Sequence, residues 1–368
     1  MANEIADNCR QLSRELHWDY LGPALERGAE GEYDASVTGD PCIVLDEERS
    51  CYHMFYFAQN HDQRRQEING NAHAVSRALD QVGASDWLKL GLLRYSNPET
   101  LPAGQASKPW ILMDPHHPNR AIRIDGTYRL FTVSFDRGHK SIWMAVAFSL
   151  DGPWTVQPEP VLRPGKQSDF DGYHVDTVTA YWFGDMDLIL LFYKGYPATP
   201  QADQPLSPWG SSLAAAVMRP GDRVARKLGK IITAPAVPGH WLCGWVSGLQ
   251  LVPDGHGAWY GLMSGSPTPP VSVSEEPEMR EPAPSLGGWA HTAESWPISG
   301  WIPEPLPIRT IADLPEPAVQ AGMGTNLWRH HLLVTDALEV GSFQRCSLYL
   351  FHNSGAYGQE RLFVWRSR

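Results

Sequence analysis

PALERGAEGEYDASVTGDPCIVLDEERSCYHMFYFA (residues 23–58) lies without gaps over PVLRPGKQSDFDGYHVDTVTAYWFGDMDLILLFYKG (residues 160–195), at a constant offset of 137 residues. Pro23/Pro160, Leu25/Leu162, Gly28/Gly165, Asp34/Asp171, Phe55/Phe192 and Tyr56/Tyr193 coincide, and Tyr33 faces Phe170. Each copy is an apolar strand, a turn and a second apolar strand. A third copy, WILMDPHHPNRAIRIDGTYRLFTVSFD (residues 110–136), lies between them, and two weaker ones follow, WVSGLQLVPDGHGAWYGLMSG (245–265) and WRHHLLVTDALEVGSFQRCSLYLFHNSG (328–355). Self-similarity at this period marks stacked supersecondary units, none of which can bury its own apolar faces alone.

With Phe55, Phe131, Phe192, Gly261 and Leu350 as equivalent anchors the spacings are 76, 61, 69 and 89 residues, so five units fill the chain. Further strand-like stretches follow the pairs at 72–79, 141–154, 211–224 and 289–301, and RLFVWR (361–366) supplies the last. Units of three or four antiparallel strands pack radially, so the expected fold is all-β, a single five-bladed β-propeller with blades near 18–80, 81–158, 159–225, 226–301 and 302–368. Ile5, Cys9, Leu12 and Leu16 repeat at helical spacing, which predicts a short helix within residues 1–17. HWDYLGPAL is expected to pair with RLFVW and so remove the open edge of the ring. Long inserts at 197–210, 266–288 and 302–322 read as loops.

Composition agrees with this frame. The 33 Gly and 31 Pro serve many turns, while 42% apolar content excludes a disordered chain. No apolar run reaches membrane-spanning length, and the acidic start MANEIADNCR lacks a secretory leader's pattern, so a cytoplasmic protein is expected. The net charge is −11, without basic clusters, which argues against nucleic acid and for a small-molecule partner. The five scattered cysteines contain no CxxC pair and read as reduced buried thiols.

In a propeller, residues at the starts of the innermost strands converge on the mouth of the axial channel. The candidates there are Asp40 in GDP, Asp114 in MDP, Asp171, His174 and Asp176 in DFDGYHVD, Trp245, and Arg329, His330 and His331. Carboxylates brought close cannot all ionise at neutral pH, so one is expected to serve as acid and another as base. Asp171 shares the context of its repeat mate Asp34 and reads as structural, whereas His174 and Asp176 face Val37 and Gly39 and so break the repeat. Asp40 and Asp114, each before a proline, also read as turn formers. Most tryptophans belong between blades; Trp110, Trp245, Trp289 and Trp328 are the choices for stacking on a sugar ring. His116, His117, His330 and His331 lack paired metal-ligand spacing, and no metal or cofactor is expected from them.

WDYLGPALERGAEGEYDASVTGDPCIV with YHMFYF, SLDGPW and PVLRPGKQSDFDG resembles the five-bladed β-propeller glycoside hydrolases, the superfamily holding the family 43, 62 and 32 types. The resemblance implies an Asp on the first blade as general base or nucleophile, an Asp on the second that tunes pKa, and a Glu as general acid. Asp40 matches the first role and Asp114 the second. No Glu lies between Asp169 and Lys194, where the third is due, leaving Asp176, Glu294, the loop acids Glu275, Glu276 and Glu278, or a histidine as the acid. The resemblance also allows a structural calcium in the axial channel.

The function expected is acid/base hydrolysis of a small glycoside or sugar-bearing metabolite. Asp40 would activate water, Asp114 orient, and Asp176 with His174 supply the acid, while His117, Trp110, Trp245, Trp328, Arg329, His330 and Glu294 hold substrate. Two alternatives stay open: a non-hydrolytic cyclisation, elimination or isomerisation in biosynthesis, and a non-catalytic carbohydrate-binding propeller.

Overall fold

The computed structural model describes residues 17–61, 68–76, 87–101, 106–117, 119–272, 286–323, 327–334, 348–355 and 358–367. Among the described residues, twenty-one strands form five antiparallel sheets. The first blade is β2 (Val37–Asp46), β3 (Cys51–Asn60), β4 (Ile68–Ser76) and β5 (Leu88–Leu92). The second runs β6 (Ser107–Ile111), β8 (Thr127–Asp136), β9 (His139–Ala147) and β10 (Thr155–Val156), with β7 (Arg123–Ile124) beside β8. The third is β11 (His174–Phe183), β12 (Leu188–Tyr196), β13 (Ser212–Met218) and β14 (Arg226–Ile232). The fourth is β15 (Trp245–Pro253), β16 (Trp259–Ser266), β17 (Leu286–Thr292) and β18 (Ile302–Pro303).

The fifth blade closes the ring. Its sheet takes β19 (Trp328–Val334), β20 (Leu348–Ser354) and β21 (Arg361–Ser367) from the chain's end and β1 (Trp18–Leu25) from its beginning. Trp18 pairs with Ser367 and Leu25 with Leu362, so the predicted N-terminal strand caps the edge of β21. The helix expected within residues 1–17 lies almost wholly outside the described residues.

The 137-residue offset maps β2 onto β11 residue for residue. It also explains Asp34 and Asp171. Asp34 accepts from Tyr56 and pairs with Lys89 of β5 at 2.7 Å, and Asp171 accepts from Tyr193 and pairs with Lys227 of β14 at 2.6 Å. The same buried carboxylate ties the inner part of each blade to its outermost strand, a structural role in both copies.

Of the five anchors, Phe55, Phe131 and Phe192 hold equivalent register positions, but the true mates in the last two blades are Leu262 and Phe351, one residue beyond Gly261 and Leu350. A slip of one inverts which face a side chain occupies. The outermost strands are the hardest to see in sequence: β5 and β14 are mostly half-exposed and carry no continuous apolar run. The 302–322 insert holds one short helix, Glu316–Gln320. No helix among the described residues is long and apolar enough to cross a membrane.

Candidate functional site

The five innermost strands β2, β6, β11, β15 and β19 all begin at one end of the ring, the mouth. Contacts between their side chains and backbones run round it: Ile111 N–H to Cys42 Sγ, Trp110 Nε1 to Ala180 O, Thr179 Oγ1 to Leu249 O, Gln250 Nε2 to Leu332 O, and Ile43 N–H to His331 Nε2. Below the mouth the axis is filled. Asn119 reaches in from the opposite end, donating to Ile43 O and Leu332 O at 3.0 Å and accepting from Val334 N–H at 3.0 Å.

Every innermost strand carries a β-bulge at the same height, between Gly39 and Cys42, Ser107 and Trp110, Asp176 and Thr179, Ser247 and Gln250, and Trp328 and His331. In each, the first extra residue has positive φ: Asp40 (50°), Lys108 (55°), Thr177 (47°), Gly248 (62°) and Arg329 (53°). This is the bulge type that glycine ordinarily serves, and only one of the five is glycine. Holding an L-residue there costs about 1–2 kcal/mol each. Strain of this kind persists where surrounding structure enforces it and clusters at functional sites.

The ring of bulges brings charges together. Arg329 Nε donates to Asp40 Oδ1 at 2.8 Å across the seam between the last and first blades. Asn353 holds the same residue twice, accepting from Asp40 N–H at 2.8 Å and donating to Oδ1 at 3.3 Å. Gly39 permits this approach: a Cβ there would lie 2.8 Å from Asn353 Nδ2. On the next blades Lys108 Nζ reaches both oxygens of Asp176 at 2.7 Å, and Lys140 Nζ lies 3.4 Å from Oδ2. Lys194, opposite Asp176 in the β11–β12 register, sits 4.4 Å above the rings of both Tyr196 and Trp245. A Cβ on Gly248 would fall between Thr177 Cγ2 at 3.7 Å and Arg329 Nη1 at 4.0 Å, so that bulge keeps space open between its neighbours.

Burial alone would raise the fully buried Asp176 carboxyl, but the ammonium groups of Lys108, Lys140 and Lys194 overcome it and hold the group well below the usual carboxylate range. Asp176 is therefore a standing anion at neutral pH. The role of acid expected for it does not suit this environment.

The predicted residues divide by position. Asp40, His174, Asp176, Trp245, Trp328 and Arg329 lie at the starts of innermost strands, at the mouth. His174 accepts from Lys140 N–H at 3.0 Å. Asp114 and His117 do not join them. They follow β6, near Arg120, at the far end of the ring, where His117 Nδ1 contacts Asp114 Oδ2 at 3.0 Å. Glu294 is exposed in the turn after β17, whose end pairs with Trp259 at the far side of β16. Trp110 is core, edge-on to Tyr181 and His331. Trp289 is also buried, beside Tyr260. His330 turns into a small space between the fourth and fifth blades, beside His352, with burial pushing its pKa well down. Glu275, Glu276 and Glu278 lie outside the described residues.

Lys108 and Asn353 escape the reading by sequence. The signal for Lys108 is nevertheless there: Asp40-Pro41-Cys42-Ile43-Val44 matches Lys108-Pro109-Trp110-Ile111-Leu112, a residue before proline and three apolar ones, whereas the DP of Asp114 is a coincidence at the other end of the strand. Calcium does not fit the axis, because Asn119 and Gln250 are bonded to backbone and His331 Nε2 to Asn119, and His331 Nδ1, which meets no partner among the described residues, is a nitrogen, whereas calcium takes six to eight oxygens.

No protein-family model matches the sequence, and no curated protein does. Solved structures do. A glycoside hydrolase superposes with a TM-score of 0.69 at 12% identity, covering 98% of this chain and 95% of the other. A thermostable family-43 glycoside hydrolase gives 0.57 at 15% identity, covering 89% of each chain. The catalytic domain of the Coprinopsis cinerea GH62 α-L-arabinofuranosidase gives 0.58 at 9% identity, covering 96% of this chain and 97% of the other. The chain thus has the five-bladed β-propeller fold found in glycoside hydrolases of families 43 and 62.

Proposed function

We propose that the chain is a glycosidase-like enzyme that takes a small glycoside at the mouth of the propeller, with Asp40 as its base. One observation carries this reading. Asp40 is held at positive φ with Oδ1 engaged by Arg329 and Asn353, while Oδ2 has no partner among the described residues. An oriented carboxylate with one oxygen left to accept a proton is what activation of water, or abstraction of a substrate proton, requires. Trp245 and Trp328, also at the starts of innermost strands, carry buried indole N–H groups that meet no acceptor among the described residues, which suits an oxygen-rich ligand.

The state of Asp176 favours a second reading. Asp176 is not suited to give up a proton at neutral pH, whereas cleavage of an ordinary glycoside needs an acid for its alkoxide leaving group. A base held by the fixed cation of Arg329 suits a reaction in which negative charge develops on the substrate, an elimination or isomerisation.

Kinetics on aryl glycosides of graded leaving-group acidity separates the two. Hydrolysis without a protein acid predicts rates that rise steeply with leaving-group acidity and lack a basic limb in pH. Asp40→Asn is expected to lower kcat/KM by roughly 10²–10⁴-fold while folding is kept. Undiminished turnover by Asp40→Asn would refute the assignment of the base in both readings.

A further inference from the structure

We propose that Asp46, Cys51 and His53 form a binding site for a divalent cation of the zinc class, at the end of the propeller opposite the mouth. Asp46 closes β2 and Cys51 opens β3, directly paired across the hairpin, and His53 follows two residues on, so that it shares a face with Cys51. All three are buried. Their ligand atoms lie within 4.8 Å of one another.

The two spacings from His53 are those of a tetrahedral ion. His53 Nε2 is 3.5 Å from Cys51 Sγ and 3.5 Å from Asp46 Oδ2. Zinc bonds of about 2.3 Å to sulfur and about 2.0–2.2 Å to nitrogen and oxygen give tetrahedral edges of roughly 3.5 Å and roughly 3.4 Å. Both edges that meet at His53 fit, and the third, between Cys51 and Asp46, is no longer than 4.8 Å.

The surroundings orient the donors. His53 Nδ1 lies 2.8 Å from His73 Nε2, a hydrogen-bond distance too short for two ligands of one ion. With the proton on Nδ1 donated to His73 Nε2, the Nε2 lone pair faces Cys51 and Asp46, and His73 takes the outer-shell place that a carboxylate, carbonyl or water ordinarily fills. Asp46 Oδ1 accepts from Arg49 N–H at 3.2 Å, which turns Oδ2 toward the imidazole. The guanidinium of Arg49 is half-exposed, contacts Asp151, and approaches Asp46 Oδ2 only to 3.8 Å. A thiolate and a carboxylate balance a +2 ion, so the loaded site buries no net charge. Thiolate with imidazole and carboxylate selects zinc over calcium or magnesium.

Cobalt(II) is the probe that tests this, added to the whole chain after chelator treatment. One equivalent is expected to bind, with visible bands of a tetrahedral ion and a thiolate-to-cobalt charge-transfer band in the near ultraviolet, both discharged by zinc. Cys51→Ser is expected to remove the charge-transfer band, and Asp46→Asn to keep that band while weakening affinity at least tenfold. Absence of saturable binding would overturn the proposal, as would a charge-transfer band that survives in Cys51→Ser. Should Cys51→Ser not fold, unchanged cobalt affinity in Asp46→Asn would overturn it equally.

Discussion

Arg329 Nε and Asp40 Oδ1 stand 2.8 Å apart across the seam where the last blade meets the first, and both residues sit at positive φ on matching bulges. The pair is nearly enclosed, with side-chain exposures of 9% and 8%. It joins the chain's first and last blades at the point where chemistry is proposed, so stability and activity should both respond to it.

Removing one member of such a pair leaves a buried charge unmatched, which costs about 3–5 kcal/mol. Arg329→Met is expected to destabilise by this order in denaturant unfolding. The double variant with Asp40→Asn should recover part of the loss, because the orphaned carboxylate is gone. A double-mutant cycle with no coupling would show that the contact does not form in solution.

Asp176 gives a prediction in pH. Its folded-state pKa is depressed below the ordinary carboxylate value of about 3.9, so its stabilising contribution is complete above that value and is lost as pH falls through the folded pKa. Asp176→Asn, leaving three lysines around a neutral amide, should cost about 3–5 kcal/mol at pH 7. The stability difference between wild type and Asp176→Asn should stay flat from pH 8 to 5 and shrink only in strong acid. A difference that vanishes already near pH 6 would contradict a standing anion.

The neutral histidines of the core titrate in a different window. Burial pushes His331 down to about 3 and His352 to about 4, from an ordinary value near 6.5. The unfolded chain therefore binds protons below about pH 6.5 that the folded chain refuses, and stability is lost as pH falls from there toward 3–4. Each contributes a slope of roughly 1.4 kcal/mol per pH unit inside that window. Chemical denaturation at pH 7, 6 and 5 should show this decline, and His352→Gln should lessen its slope by one histidine's share, with His331 keeping its own.

Much of this is legible in sequence, and the gaps have physical causes. The repeat between residues 23–58 and 160–195 is legible because equivalent blades bury equivalent faces, and even the Asp34–Tyr56 and Asp171–Tyr193 pairs recur with it. Asp40, Asp176 and Arg329 can be placed because they start innermost strands. Lys108 cannot be placed by residue type, since the bulge dictates a backbone conformation and leaves the side chain free to differ between blades. Asn353 is out of reach for another reason: it lies on β20, and its contact with Asp40 spans 313 residues of chain. Asp114 misleads because an Asp-Pro turn serves either end of a strand.

Gly39 offers the sharpest test of the site, because changing it removes no functional group. A Cβ at this position would sit 2.8 Å from Asn353 Nδ2, closer than real contacts allow, and the obstacle is the end of a side chain that can swing away. Gly39→Ala should therefore fold, with a melting temperature lowered by a few degrees at most. Asn353 would leave Asp40, which loses a hydrogen bond worth about 1.5–3 kcal/mol to its charged oxygen. Turnover is expected to fall by about tenfold or more, and Asn353→Ala should fall as far. The double variant should be no worse than either single one, since both act through the same contact. Additive losses would mean that Gly39 and Asn353 serve Asp40 by separate routes.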